Sequence, residues 1–81
     1  MLIDVIHVEV QEACRLLVTF ENGERRLFDL SPYLNVGVFR CLRDVGLFRA
    51  AYVDGGTVTW PGGIDIAPET LHAESIPLPH G

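Results

Sequence analysis

The tripeptide Glu21-Asn22-Gly23 constrains the fold more than any other feature of this chain. It separates CRLLVTF (residues 14–20) from RRLFDL (residues 25–30). Asn-Gly between two alternating apolar runs is a strong hairpin signal. The register follows from the faces. A two-residue loop pairs Glu21 with Glu24 and sets Leu16 opposite Asp29. A three-residue loop, a type I turn closed by Gly23 in the left-handed region, pairs Phe20 with Glu24. That sets Leu16 opposite Phe28 and Arg15 opposite Asp29. Only the second keeps apolar opposite apolar and charge opposite opposite charge, so it is the expected register.

The rest of the chain reads as short elements around this hairpin. Residues 2–10 (LIDVIHVEV) are rich in β-branched side chains and predict a strand, with residues 11–13 turning. Cys14 is expected to open the second strand, pointing inward. Ser31-Pro32 predicts a helical turn with Ser31 as its N-cap. Val38, Cys41, Leu42 and Val45 follow helical spacing, with Gly46 as the stop. Asp54-Gly55-Gly56 joins residues 51–53 to residues 57–60 as a second hairpin, and Pro61-Gly62-Gly63 turns into Ile64-Asp65-Ile66. Pro68 opens a last helix over residues 68–73, with Glu69 in its first turn, where the dipole favours an anion. The tail of residues 75–81 contains two prolines and reads as loose.

Eighty-one residues make a single domain, residues 1–81, and 48% hydrophobic against 21% charged residues excludes a disordered chain. No apolar run reaches the roughly 18 residues of a membrane span, and the start lacks a basic leader. The expectation is a soluble, cytoplasmic protein with no membrane partner. Cys14 and Cys41 form no CxxC pair and read as buried free thiols. The net charge of −5 and the absence of Lys argue against nucleic acid binding by the domain itself. Contact through Arg15, Arg25 and Arg26 is the alternative.

Four residues make a candidate ligand or partner site: Trp60, Asp65, Glu69 and His72. Asp65 and Glu69 lie four apart and could serve as an acid/base or metal pair. The competing reading is structural: Asp65 caps the following helix and Glu69 complements its dipole. Trp60, beside a glycine-rich turn, could stack a ligand. The preferred reading buries it against Phe20 or Phe28 as a lid on a small core. His7, His72 and His80 lack metal-ligand spacing, so no metal and no cofactor is expected. No GxSxG, Cys-His or GxGxxG arrangement assigns a reaction, and no catalytic residue is expected.

One longer pattern remains. VTFENGERRLFDLSPYL, then the stretch from Val38 to Phe48, then VDGGTVTWPGGIDIAPETL resemble the domain-of-unknown-function 2442 family of small bacterial proteins. The resemblance runs from about Val5 to Leu71. Its most telling pieces are Phe20 with Asn22-Gly23, Phe28-Asp29-Leu30, Thr57 to Trp60, and Asp65 to Leu71. His72 departs from it, since relatives often carry Tyr there. The resemblance implies an α+β domain like the N-terminal part of proteins with a helix-turn-helix behind it; no such second domain is expected here. It also implies bacterial mobile-element or toxin–antitoxin-like gene neighbourhoods, and it supplies no catalytic residues.

The expected fold is α+β, a small antiparallel sheet of two β-hairpins with short helices on one face. The expected function is a non-enzymatic interaction or accessory module that forms a homo-oligomer, with a possible bacterial protein partner. A chain of this size cannot enclose so much apolar surface. Strand edges at residues 2–10 and 57–60 invite another chain, and Ile76 and Leu78 are the tail residues that could dock. A small-ligand site or enzyme at Trp60, Asp65 and Glu69 is the alternative.

Overall fold

The computed structural model describes residues 3–78. Strand β1 (Val5–Gln11) pairs antiparallel with β2 (Arg15–Phe20), which pairs with β3 (Arg25–Asp29). The expected three-residue loop is present: Phe20 N–H donates to the Glu24 carbonyl at 2.8 Å, and Gly23 has φ +90°. Leu16 therefore faces Phe28 and Arg15 faces Asp29. The first strand starts three residues later than its composition predicts, and Leu2 lies outside the described residues. Its partner also starts late. Cys14, at φ +60°, is still in the turn with Ala13, also at +60°.

A short 3₁₀ turn (Ser31–Tyr33) follows, then a 3₁₀ helix (Gly37–Arg43) and helix α1 (Val45–Phe48). Four expectations are corrected in this segment. Ser31 does not cap the turn; its backbone N–H is instead received by the Asp29 carboxylate at 2.9 Å. Gly46 does not end a helix. It lies inside α1 and donates to the carboxylate of Asp44, the true N-cap, at 3.0 Å. The stripe of Val38, Cys41, Leu42 and Val45 does not form either. The backbone there is 3₁₀, with three residues per turn, so side chains align at i and i+3. Phe39 and Leu42 pack on the core, whereas Val38, Cys41 and Val45 are exposed. The expectation of a buried Cys41 thus fails, and Cys14 is half-buried.

Strands β4 (Tyr52–Asp54), β5 (Thr57–Trp60) and β6 (Ile64–Asp65) make a second antiparallel sheet. Gly55 and Gly56 hold φ values of +60° and +78°, the geometry of a two-residue hairpin loop. β5 is central, so the edge expected at residues 57–60 is already covered on both sides. Helix α2 (Pro68–Ala73) has the expected bounds. The tail is not loose through residue 78. Strand β7 (Ile76–Pro77) adds to the open side of β3, and Leu78 N–H donates to the Arg25 carbonyl at 3.0 Å.

The architecture is α+β, with strand orders β1-β2-β3-β7 and β4-β5-β6. Alternation along β2 sends Leu16, Val18 and Phe20 to the inner face. They meet Phe28 of β3, Val58 and Trp60 of β5, Ile64, and helical Leu42, Phe48 and Leu71 in one core. The other face of the larger sheet carries Leu17, Leu27 and Ile76 in one row across β2, β3 and β7.

Candidate functional site

The four residues singled out in the sequence do not share one environment. Trp60 is fully buried, and its indole N–H donates to the Phe48 carbonyl at 2.9 Å. It seals the core rather than offering a stacking platform. Asp65 lies in β6 opposite Thr59, exposed. No side chain caps α2, so the capping role expected of Asp65 is overturned; Ala67 occupies the cap position. Glu69 does sit exposed in the first turn of α2, where the dipole favours it. Among the described residues no group of three or more His, Cys, Asp or Glu side chains is placed to hold a metal ion. His80 lies outside the described residues.

His72 belongs to a polar junction whose other members the sequence did not mark as partners. Glu24 leaves the hairpin loop, Arg26 points inward from β3, His72 lies in the last turn of α2 and Ser75 precedes β7. Arg26 is the hub. Its Nε donates to Ser75 Oγ at 2.7 Å, its Nη2 to the Ser75 carbonyl at 3.0 Å, and its Nη1 to Glu24 Oε2 at 3.0 Å. Ser75 Oγ donates onward to the His72 carbonyl at 3.1 Å. His72 Nε2 lies 3.2 Å from Glu24 Oε1, and its ring stands edge-on to Phe20 at 5.3 Å. The Asn22 side-chain amide also donates to Glu24 Oε1, at 2.8 Å.

These bonds decide what the junction can do. The Asn22 amide, helped by His72 and Arg26, holds the Glu24 carboxyl down to about 2. A carboxylate so stabilised is a poor general base at neutral pH, because catalysis wants a pKa near the working pH. Both its oxygens are already engaged. The junction therefore acts as a clasp that ties the hairpin loop and β3 to α2 and β7. Sequence reading missed it because Arg26 and Ser75 are 49 residues apart. The one available signal was Arg26 itself, a charge on an inward-facing position of β3.

The family model described as "Protein of unknown function (DUF2442)" matches residues 5–77. The chain belongs to this family. No curated protein and no solved structure matches it. The matched span of this DUF2442 domain opens at β1 and closes with β7, so the tail strand clasped by Arg26 lies inside the family's span.

Away from the clasp, described residues of the DUF2442 chain line shallow depressions over the outer face of the larger sheet. One of about 450 Å³ is lined by Val10, Gln11, Glu12, Arg15 and Leu27. Another of about 260 Å³ is lined by Arg15, Leu27, Asp29, Glu74 and Ile76. Hydrogen bonds from Ser31, with the Arg15 charge adding, keep the Asp29 carboxyl below its ordinary value. The three arginines considered for nucleic acid are divided. Arg26 is spent in the clasp, while Arg15 and Arg25 are exposed on the outer face, Arg15 opposite Asp29. No helix among the described residues is long and apolar enough to cross a membrane.

Proposed function

We propose that this domain is a non-enzymatic protein-interaction module that associates with itself. The observation that supports this best is the outer face of the four-stranded sheet, where Leu17 and Leu27 are half-buried and Ile76 is exposed. Leu17, Leu27 and Ile76 make an apolar row there, Ile76 being 68% exposed, between Glu9 and the Arg15–Asp29 pair. Apolar side chains arranged in one surface patch with a polar border mark interaction surfaces. Ile6, Val36, Val38, Val45 and Tyr52 add further exposed apolar area. A bacterial regulatory or toxin–antitoxin-like setting is part of this reading and rests on the family resemblance, and a cytoplasmic location belongs to the same reading. So does a partner protein from that setting. With a net charge of −5 and Arg26 committed to the clasp, the domain does not bind nucleic acid by itself.

Static light scattering at micromolar concentration tests self-association. A mass near twice the 9.0 kDa of one chain supports it, and a mass of one chain unchanged on tenfold concentration refutes it.

A further inference from the structure

We infer that two copies join through the free edge of β1, in an antiparallel register centred on Val8. This inference rests on the proposed self-association and adds to the outer face a second surface, the edge of β1.

The edge follows from the hairpin. Phe20 bonds Glu24 across β2 and β3, so the even-numbered residues of β2 turn their backbone groups toward β3. The odd-numbered Arg15, Leu17 and Thr19 then turn theirs toward Gln11, Glu9 and His7 of β1. Val8 and Val10 are left with N–H and C=O directed away from β2. At the strand's start, Val5 N–H is taken by the Gly56 carbonyl at 2.8 Å. β4 and β5 pack against β1, but beyond Val5 residues 6–11 make no backbone hydrogen bond outside the β1–β2 ladder among the described residues. Such an edge is a template for another strand.

Charge selects the occupant and the register. Around a two-fold axis at Val8, Val8 faces Val8 of the partner subunit, and His7 faces the partner's Glu9 on both sides of the axis. Centring on Glu9 instead sets carboxylate opposite carboxylate, and centring on His7 sets imidazole opposite imidazole. Carboxylates directly opposite one another are destabilising, whereas an imidazole N–H can donate to a carboxylate that faces it. The sequence His7-Val8-Glu9 is thus complementary to itself when reversed. In one chain Glu9 accepts from its neighbour Gln11 and, among the described residues, from no other side chain, which leaves it able to receive His7 of the partner subunit. Val8 and Val10 are half-buried on the inner face, and Ile6, turned out by a bulge between Val5 and His7, is 58% exposed at the end of the same edge. Pairing extends the four strands into one eight-stranded sheet and covers part of that apolar surface.

Sedimentation equilibrium on the full chain and three variants tests this. Val8→Pro removes an N–H that the chain's own ladder does not use, and proline is tolerated on edge strands. It should raise the dimer dissociation constant at least about tenfold, since two symmetric bonds are lost. His7→Glu, an exposed change that spares the fold if Val8→Pro does not, should also weaken the dimer by opposing two carboxylates. Adding Glu9→Lys to His7→Glu should restore it. A dimer that all three variants leave unchanged overturns the β1 edge while leaving self-association standing. A monomer in the unaltered chain overturns both.

Discussion

Trp60 donates its indole N–H to the carbonyl of Phe48, 2.9 Å away, and so joins the central strand of the smaller sheet to helix α1. Both side chains are buried. A buried tryptophan needs such a partner, and here the largest core side chain finds it at the end of a four-residue helix too short to stand alone. Trp60→Ala is expected to cost about 3–5 kcal/mol in chemical denaturation. Trp60→Phe leaves the carbonyl with only the long 3.4 Å bond from Ala51, and should cost about 1–3 kcal/mol. A blue-shifted emission in the folded state checks the burial directly.

Gly23 stands at φ +90° with nothing within 4 Å of where a Cβ would lie. A side chain there meets backbone strain and no steric neighbour. Gly23→Val should therefore cost about 2 kcal/mol or more, because a β-branched residue is worst suited to positive φ. Gly23→Asn should cost much less. Urea midpoints of the two variants separate strain from crowding.

The reverse applies at the β1–β2 turn. Ala13 holds φ +60° on an exposed position, a conformation that disfavours L-residues. Ala13→Gly should stabilise the domain by about 0.5–1 kcal/mol, the relief of strain exceeding the added freedom of the unfolded chain. A rise in the thermal midpoint is the readout.

Glu24 makes stability fall in acid. Its carboxyl is held at about 2 in the folded chain against an ordinary value of 4.5. The unfolded chain therefore takes up the proton first, so the stabilisation is complete above pH 4.5 and is lost as pH falls toward 2. Glu24→Gln should show a shallower loss of stability across that window, measured by urea titration at several pH values.

The parts of the fold that were legible in the sequence are those that local chemistry dictates. Asn22-Gly23, with Leu16, Val18 and Phe20 alternating before it and the Arg15–Asp29 pairing, specified a register to the residue. Asp54-Gly55-Gly56 announced the second hairpin, and Pro68 set the start of α2. The stretch from Val38 to Val45 was misread because a 3.6-residue period was assumed where the backbone takes three. The tail was misread because its order comes from Arg26, far away in sequence, and nothing in Ser75-Ile76-Pro77 signals it. For the same reason His72 was grouped with Asp65 and Glu69, its neighbours in sequence, while its partners Glu24 and Phe20 come from the first hairpin.

Self-association is the central claim, and an isotope-filtered nuclear Overhauser experiment on a mixture of ¹³C-labelled and unlabelled chains tests it most directly. Only contacts between different copies give signals. The expected result is cross-peaks that join Val8 methyl groups of one copy to β1 of the other, within the roughly 5 Å reach of opposed strand side chains. A mixed sample with no cross-peak between copies at the high concentrations of such a measurement would contradict the account.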